Sequence, residues 1–295
     1  MRTTTLTLML TISIAIAAQS PTLLTDFEQW NVRNIKESAL LGGQVKPYYT
    51  IKGARWSTSN TYARVMGIDK VSSSVWPETR GTGHCCRLEC TMDTVKAVGI
   101  SLKVLVAGSI YTGRAIEPKN IKSAERPMAL LDMGVPFTGR PKALVLDYKA
   151  HIEPSNELYR ANASTRVERL EGRDGAEIIV LLQRRWEDAK GNIHAERVGT
   201  GWFRIMKSTS WLDDFEIPIR WGDITKMVGF KDYEGLQTDN FMASNSHGKM
   251  VPIQEVGYSN LDPTHIIIMI SSGCHEAFCG HAGNVLWVDN VRLKY

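Results

Sequence analysis

Residues 211–221 read WLDDFEIPIRW, and this stretch shows the two-residue repeat of a β-strand more clearly than any other. Its odd-numbered face holds Trp211, Asp213, Phe215, Ile217, Ile219 and Trp221. Its even-numbered face holds Leu212, Asp214, Glu216, Pro218 and Arg220. A mostly apolar face opposite a polar one indicates a strand with one side in the core and the other in water. Pro218 favours a sheet edge or a bulge, because proline cannot donate to the ladder.

Similar segments recur along the chain, rich in β-branched and aromatic residues and separated by Gly, Pro, Asn and Asp. Besides 211–221, they are 61–66, 84–91, 98–106, 143–150, 178–186, 197–205, 265–271 and 285–294. The clearest hairpin follows 178–186, where Gly191 can take the positive φ of a tight loop. Short helical turns are expected only within 116–127 and 225–238. The pattern predicts an all-β fold, a two-sheet antiparallel β-sandwich.

Composition and charge restrict the class of protein. The chain has 295 residues, 43% of them hydrophobic and 22% charged, which is enough for a large core and excludes a disordered or collagen-like chain. The net charge is only +4 and the basic residues are scattered, so no nucleic-acid partner is expected. Eight tryptophans are enough to leave some free to act at a surface.

The first 18 residues, MRTTTLTLMLTISIAIAA, have the pattern of a secretory signal peptide. One basic residue precedes an apolar stretch that ends in small residues. This stretch is shorter than the ~20 residues that span a bilayer, so no membrane span is expected. We predict a secreted protein, periplasmic or at the cell surface, whose residues 19–295 form a single β-sandwich domain.

Five cysteines are present, at positions Cys85, Cys86, Cys90, Cys274 and Cys279. An odd number in an oxidising compartment leaves at least one thiol unpaired within the chain. The sequence does not choose between a local bridge of Cys274 to Cys279 and a bridge between the two groups. With His275 and His281, the second group can also supply tetrahedral zinc ligands, although a disulfide beside solvated histidines is favoured.

A pair of acids offers one route to catalysis. Asp214 and Glu216 share a strand face and lie about 7 Å apart along the chain. Glycosidases use two carboxyl groups roughly 5–5.5 Å apart when retaining and 6.5–9.5 Å apart when inverting. Nothing in the sequence predicts the raised pKa that a general acid needs, so ordinary surface acids are the favoured interpretation.

Two segments carry a family resemblance. The first is 133–149, MGVPFTGRPKALVLDYK, and the second is 266–272, IIIMISS, followed after a glycine-rich loop by 283–295, GNVLWVDNVRLKY. Over about residues 60–295 the chain resembles the bacterial "putative carbohydrate metabolism domain" family. That resemblance implies secreted proteins with a jelly-roll β-sandwich, like that of carbohydrate-binding modules, associated with polysaccharide utilisation.

A sugar-related role calls for flat aromatic side chains and planar polar groups. Trp56 and Trp76 lie in polar, Gly-, Ser- and Pro-rich surroundings and are the candidate platforms. Arg140 and Asp132 are candidate polar partners, Arg140 being held on a rigid turn where a structural salt bridge is an equal alternative. Trp202, Trp211 and Trp221 share strand faces with apolar residues, so we expect them to belong to the core.

The resemblance also implies a structural calcium ion, because similar sugar-binding jelly rolls hold one between their first and last strands. The carboxylates of Asp26, Glu28 and Asp289 have the hard oxygens that Ca²⁺ prefers. For this to hold, the segment around Asp26 has to pair near the last strand. The alternative is that Asp289 is only an acid at a strand edge.

These observations predict a secreted, non-catalytic accessory protein that captures a polysaccharide or oligosaccharide by aromatic stacking. Other components of a glycan-uptake system are its expected protein partners. The first alternative is a glycoside hydrolase that uses Asp214 and Glu216 as its candidate catalytic pair. The second is an adhesion or structural surface module without a sugar ligand.

Overall fold

The computed structural model describes residues 22–53, 55–65, 67–97, 100–117 and 127–295, so the signal peptide predicted for residues 1–18 lies outside it. Within these ranges helical structure is limited to the 3₁₀ segments Ala39–Leu41, Pro127–Leu130 and Asp232–Glu234. No helix in the described part of the chain is long and apolar enough to cross a membrane. The prediction of an all-β fold is confirmed.

The strands are numbered in chain order. The first eleven are β1 (Thr22–Thr25), β2 (Trp30–Lys36), β3 (Val45–Ile51), β4 (Trp56–Thr58), β5 (Thr61–Val65), β6 (Ile68–Ser72), β7 (Val75–Arg80), β8 (Gly83–Glu89), β9 (Thr91–Ala97), β10 (Ile100–Val106) and β11 (Ser109–Ala115). The others are β12 (Leu131–Met133), β13 (Val135–Pro136), β14 (Ala143–His151), β15 (Glu157–Arg160), β16 (Glu168–Glu171), β17 (Ala176–Glu187), β18 (Ile193–Ile205), β19 (Thr209–Pro218), β20 (Arg220–Trp221), β21 (Met242–Ser244), β22 (Met250–Tyr258), β23 (His265–Ser271), β24 (Cys279–Gly280) and β25 (Val285–Lys294).

A six-stranded sheet forms one layer, in the order β19-β14-β25-β8-β7, with β1 paired to β25. Alternate side chains of this sheet enter the main core, where they meet β17 and β23 of the second layer. From the sheet come Val75, Leu88, Leu144, Leu146, Leu286 and Val288, and from the second layer Ile178, Val180, Ile268 and Ile270. The intervening side chains point away from the core, and we call their surface the outer face.

The second layer is a barrel wall, which corrects the expectation of two open sheets. Strands β23, β17, β18, β22, β21, β12 and β11 are hydrogen-bonded in that order, and β11 also pairs with β23. The ring therefore closes over seven strands. Its interior holds a second core that includes Tyr111, Met133, Ile179, Leu181, Ile253 and Ile267. Several two- and three-stranded sheets complete the described fold.

Two local features explain the closure. The pair β18–β22 is parallel, whereas a simple sandwich of the predicted kind has only antiparallel pairs. In β11, Gly113 adopts φ 138° opposite Met133, and a Cβ there would lie 2.2 Å from the carbonyl oxygen of Asp132. Only glycine therefore lets β11 pair with β23 through its first residues and with β12 through its last.

The predicted hairpin is confirmed. β17 and β18 pair antiparallel from Ala176↔Ile205 to Glu187↔Ile193, and Gly191 has φ 80°. The Asp188 carboxylate accepts hydrogen bonds from the backbone N–H groups of Lys190 and Asn192, both at 2.9 Å, which fixes the turn. Among the cysteines, whose pairing the sequence left open, all five are buried free thiols in this structure.

Candidate functional site

Three tryptophans and two cations form a row across the outer face. Trp76 of β7 lies opposite Arg87 of β8, Arg87 lies opposite Trp287 of β25, and Trp287 lies opposite Lys149 of β14. Trp211 of β19 follows beside Lys149. Aromatic and cationic side chains thus alternate over five neighbouring strands, and all of them are partly exposed. We call these five residues the tryptophan row.

The members of the row contact one another through cation–π interactions. The Lys149 ammonium lies 3.9 Å from the centre of the Trp287 ring and 5.8 Å from that of Trp211. The Arg87 guanidinium lies 5.3 Å from the Trp76 ring and 5.6 Å from the Trp287 ring. Such contacts hold cations beside indoles without removing them from water. The row is therefore an ordered surface and not a set of independent side chains.

Two acids fix the orientation of the row. Glu78, two residues after Trp76 on β7, accepts a hydrogen bond from the indole N–H of Trp287 at 2.8 Å. The other oxygen of Glu78 accepts one from Arg87 at 3.1 Å, and Glu89 accepts one from the same guanidinium at 2.6 Å. Trp287 is consequently locked in place by its edge, while its ring remains part of the surface.

Next to the row lies a carboxylate cluster held by one arginine. Arg80 contacts Asp147 at 2.9 Å and Asp289 at 2.7 Å through the same nitrogen, and Asp213 at 2.6 Å through another. Its guanidinium also lies 4.0 Å from the centre of the Trp211 ring. We call Arg80, Asp147, Asp289 and Asp213 the carboxylate cluster. Trp211 joins this cluster to the row.

The cluster forms where two bulges meet. Asp214 in β19 and Asn290 in β25 have φ values of 54° and 49°, and the registers of β14 with both strands shift near Asp147. Asp147 stabilises both irregularities: its carboxylate accepts the backbone N–H of Asp214 at 2.9 Å and the side-chain amide of Asn290 at 2.8 Å. Bulges re-aim side chains in this way near binding sites.

The electrostatics of the cluster are unusual for a surface. Asp147 and Asp289 are opposite each other on neighbouring strands and are only 5% and 7% exposed. Burial raises the pKa of Asp289, and the charge of Asp147 adds to the shift, while the bonds from Arg80 oppose it. Burial, together with the charges of Asp289 and Glu78, also raises the pKa of the nearby Cys85 thiol to about 11. That thiol is therefore not a nucleophile at neutral pH.

The structure separates the two predicted platforms. Trp76 belongs to the tryptophan row, as part of β7. The expectation that Trp56 offers a platform at the surface is wrong: it begins β4, is 8% exposed and packs edge-on against Phe27. It also lines an apolar pocket of about 260 Å³ between the layers, together with Leu24, Val135, Phe137, Ile266, Ile268 and others. In the pairing of β4 with β11, Trp56 lies opposite Thr112, two residues along from Ile110 of the main core, so it faces inward.

The predicted polar partners lie on other elements than Trp76. Arg140 contacts the Asn260 and Leu261 carbonyls and Asp262, each at 3.3 Å, and covers Trp221 at 4.1 Å. These contacts are those of the structural salt bridge that the sequence offered as the alternative role of Arg140. Asp132 is in the barrel, where it accepts hydrogen bonds from Arg114 and Ser244, and these bonds lower its pKa despite burial.

The predicted catalytic pair occupies an exposed edge. Asp214 is ion-paired with Arg292, and Glu216 with Lys294 at 2.6 Å, so each acid has its own cation on β25. The prediction that Asp214 and Glu216 share a strand face assumed strict alternation, and the bulge at Asp214 breaks that alternation. It also overturns the expectation that Trp211 is a core residue. Both acids are solvated, whereas a general acid is usually made by burial.

The predicted calcium ligands are only partly brought together. As expected, the opening segment pairs with the last strand, Thr25 lying opposite Val291. However, Glu28 bonds to the backbone N–H of His84 at 3.0 Å, and Asp289 faces Arg80. Among the described residues, Asp26, Glu28 and Asp289 do not form a group with all ligand atoms within 4.8 Å. Calcium binding stays a prediction.

Sequence reasoning missed Trp287, Trp211, Arg80 and Asp147 as site residues. The sequence of 285–294 does indicate that Trp287 is on the outer face. Leu286 and Val288 on either side of it enter the core, and successive side chains of a strand point to opposite faces. Arg80 and Asp147 come from strands far apart in the chain, and no local pattern pairs them.

Comparison with solved structures gives matches of low sequence identity. The chain is similar to the crystal structure of "a putative glycoside hydrolase" from Bacteroides thetaiotaomicron, at TM-score 0.51 and 17% identity, covering 93% of this chain and 71% of that one. At 16% identity and TM-score 0.48 it is also similar to another protein so described, from Bacteroides vulgatus, covering 94% and 99% of the two chains. Identities this low support the fold alone. A search of curated proteins found no match.

The family comparison is more extensive. A sequence profile described as "Putative carbohydrate metabolism domain" matches residues 26–294, which is nearly the whole chain. That range includes every strand of the six-stranded sheet except β1, and it includes the tryptophan row and the carboxylate cluster. The chain belongs to the family described as "Putative carbohydrate metabolism domain".

Proposed function

We propose that the outer face of the six-stranded sheet binds a glycan, and that this is the protein's function within its family. The observation that carries the proposal is the tryptophan row: three partly exposed indoles ordered on one sheet face, with cations between them. The C–H faces of sugar rings pack against indoles, and sugar hydroxyls bond to planar charged groups. Both kinds of group are present side by side.

The dimensions of the row suit an extended ligand. Neighbouring strands are about 4.8 Å apart, so Trp76 and Trp287, two strands apart, are separated by about 10 Å. Trp287 and Trp211 have the same separation. A linear chain crossing the strands therefore meets a tryptophan at regular intervals and a cation between each pair. This arrangement favours an oligosaccharide or polysaccharide over a single sugar.

Secretion remains part of the proposal. The signal peptide predicted from residues 1–18 would deliver the domain outside the cytoplasm, where glycans are available as ligands. Transfer of the bound glycan to other components of an uptake system stays a prediction.

A binding screen with matched variants tests the proposal. Soluble glucans, xylans, mannans and pectins are compared by affinity electrophoresis and calorimetry for the native protein and for Trp287→Ala. We expect at least one glycan to be retained and the variant to bind at least about tenfold more weakly, a loss of about 1.4 kcal/mol. The indole of Trp287 supplies contact area that alanine cannot replace.

Trp186→Ala is the matched control, because Trp186 is 44% exposed but lies on the β17–β18 hairpin, away from the outer face. Its affinity should equal that of the native protein. Retention of no glycan by the native protein, or equal losses in the two variants, would refute glycan binding by this face.

The carboxylate cluster favours a second candidate function, glycoside hydrolysis. Asp147 and Asp289 approach one nitrogen of Arg80, at 2.9 and 2.7 Å, so they are near enough for the roughly 5–5.5 Å separation of carboxyl groups in retaining enzymes. Burial raises the pKa of Asp289, which is the direction of shift that a general acid needs. Arg80 fills the space between them and would have to move for a glycosidic bond to enter.

Reducing-end release from the retained glycan distinguishes the two candidates. Release that is lost in Asp289→Asn, with binding unchanged, supports hydrolysis. Binding without release by the native protein supports a non-catalytic role.

A further inference from the structure

The loop between β23 and β25 lies against a buried acid outside the outer face. Asp174, just before β17, is 3% exposed, and Cys274, just after β23, is also 3% exposed. His275 follows Cys274 and is partly open to solvent, its side chain being 26% exposed. These three residues come from two segments 100 positions apart, joined by the pairing of β17 with β23.

Their ligand atoms are already close to one another. The Cys274 Sγ lies 3.5 Å from Asp174 Oδ1, and the His275 Nε2 lies 3.9 Å from the same oxygen. One sulfur, one nitrogen and one oxygen all lie within 4.8 Å of one another. Ligands about 2.0–2.3 Å from a tetrahedral metal ion are separated by comparable distances, so only small side-chain movements are needed.

The Asp174 carboxylate is held rigidly. Oδ1 accepts the backbone N–H of Cys274 at 3.1 Å, and Oδ2 accepts the backbone N–H of His281 at 2.8 Å and the amide of Asn284 at 3.1 Å. Hydrogen bonds of this kind fix the orientation of carboxylates that bind metals. When a metal ion binds, the side chains of Cys274 and His275 would therefore move, and the Asp174 carboxylate would not.

The charge of Asp174 is not neutralised by a lysine or arginine. In the described part of the chain no lysine or arginine nitrogen lies within 4 Å of its carboxylate, and the nearest basic side chain is that of His275, at 3.9 Å. Close by, the carboxylate of Glu177 is balanced by Arg204 at 3.0 Å. Buried charges are generally paired with an opposite charge or bound to a metal. A cation between Asp174, Cys274 and His275 would complete the pairing.

We propose that Asp174, Cys274 and His275 bind one Zn²⁺ ion, with a water molecule as its fourth ligand on the exposed side of His275. Sulfur and imidazole ligands select zinc over Ca²⁺ or Mg²⁺. Asp174 is the ligand that the sequence did not suggest. Cys279 and His281, which the sequence placed beside Cys274 and His275, lie outside this set.

Binding has a definite proton balance. The Cys274 thiol loses its proton to the buffer as the Zn–S bond forms, which offsets the burial that raises the pKa of this thiol to about 12. The His275 Nε2 lies 3.0 Å from the Arg173 carbonyl oxygen, to which a protonated Nε2 donates. Coordination requires the other tautomer, with its proton on Nδ1, and therefore replaces that hydrogen bond by a bond to the metal.

Cobalt substitution tests the site on the purified protein. We expect titration with Co²⁺ alone to give the near-ultraviolet thiolate-to-metal absorption of a Co–S bond at one equivalent, and Zn²⁺ alone to displace it. Cys274→Ser should abolish the absorption. His275→Gln, on an exposed side chain that the fold does not need, should weaken Zn²⁺ binding at least tenfold.

Cys279→Ser and His151→Gln are the matched controls and should bind as the native protein does. Absence of the thiolate absorption in the native protein overturns the proposal. So does an absorption that persists in Cys274→Ser, or Zn²⁺ affinity that is unchanged in His275→Gln. None of these three results depends on whether the outer face binds a glycan.

Discussion

Arg80 neutralises two buried carboxylates that belong to neighbouring strands. Asp147 and Asp289 repel each other, and burial makes that repulsion stronger than it would be in water. Together they raise the pKa of Arg80, although burial alone would lower it. The cluster is therefore a balance of charges in which Arg80 is the cation that contacts both acids, while Arg292 lies 3.9 Å from Asp147 alone. This balance determines both the stability of the sheet and the electrostatics of the candidate site.

Replacing Arg80 by methionine should be costly. The change keeps the aliphatic stem but leaves Asp289 without a counter-charge and Asp147 with only the more distant Arg292, at 3.9 Å, so we expect a loss of about 3 kcal/mol in the free energy of unfolding at pH 7. The loss should become smaller near pH 5, where Asp289, with its raised pKa, takes up a proton more readily. Urea denaturation at the two pH values measures both effects.

Arg140→Met is the control for Arg80→Met. Arg140 also covers a tryptophan and pairs with an aspartate, but Asp262 is exposed. An exposed pair contributes less than about 1 kcal/mol. Similar losses for the two variants would contradict the argument that burial makes Arg80 essential.

His265 should make the protein less stable in mild acid. Burial and the neighbouring Arg185 lower its pKa to about 4. Between about pH 6.5, its ordinary pKa, and pH 4, the unfolded state binds a proton that the folded state does not, so the free energy of unfolding decreases as the pH falls. In His265→Gln that decrease should be smaller, as measured by urea denaturation across this range. An unchanged pH dependence would show that His265 is protonated in the folded protein.

At the scale of the elements, the two bulges decide which side chains reach the outer face. In β19 the bulge at Asp214 shifts the alternation of side chains by one residue. As a result, Trp211 and Asp213 point to the outer face, whereas Phe215 and Ile217 point to the core. In β25 the residue Asn290 has the same effect, with Asp289 outward on one side and Val291 in the core on the other. Without these bulges the carboxylate cluster would not form.

Substitutions at Asn290 test the bulge in β25. Asn290 has φ 49°, a conformation that β-branched side chains adopt only at a cost. We expect Asn290→Val to lower the free energy of unfolding by about 2 kcal/mol more than Asn290→Gly does. Both variants lose the amide bond to Asp147, so thermal or urea unfolding of the pair isolates the backbone effect. Equal stabilities would argue that the bulge is absent in solution.

Strand positions were largely predictable from the sequence, and strand facing was not. The segments 265–271 and 285–294 match β23 and β25 to the residue, because both have dense apolar residues that fill a core. β22 was not predicted, because its sequence, MVPIQEVGY, contains Pro252 and Glu255. The structure buries Glu255 against Arg197, so a polar residue occupies a core position and hides the alternation.

At the scale of the whole molecule, closure of the barrel was beyond sequence reasoning. It depends on a parallel pairing of β18 with β22 and on strands of only three residues, β12 and β21, which have no readable period. The candidate site has the same limitation. Trp76 was predicted from its polar neighbours in the sequence. The other members of the tryptophan row lie on strands far from it in the chain, as far as position 287, so no local pattern joins them to Trp76.

The barrel and the outer face have separate roles, one in stability and the other in ligand binding. The barrel wall provides the second side of the main core, and so it supports the six-stranded sheet from beneath. The outer face is then free to carry polar and aromatic residues that would be unfavourable in a core. Such a division is consistent with membership of the family described as "Putative carbohydrate metabolism domain".

Radical footprinting of tryptophans in the presence of the retained oligosaccharide tests the central claim most directly. Oxidation of each tryptophan is measured by mass spectrometry with and without ligand. If the outer face binds the glycan, Trp76, Trp211 and Trp287 become protected together, while Trp186 on the hairpin is oxidised at the same rate as before. Saturation with ligand that leaves those three rates unchanged, or that protects Trp186 instead, would contradict the account.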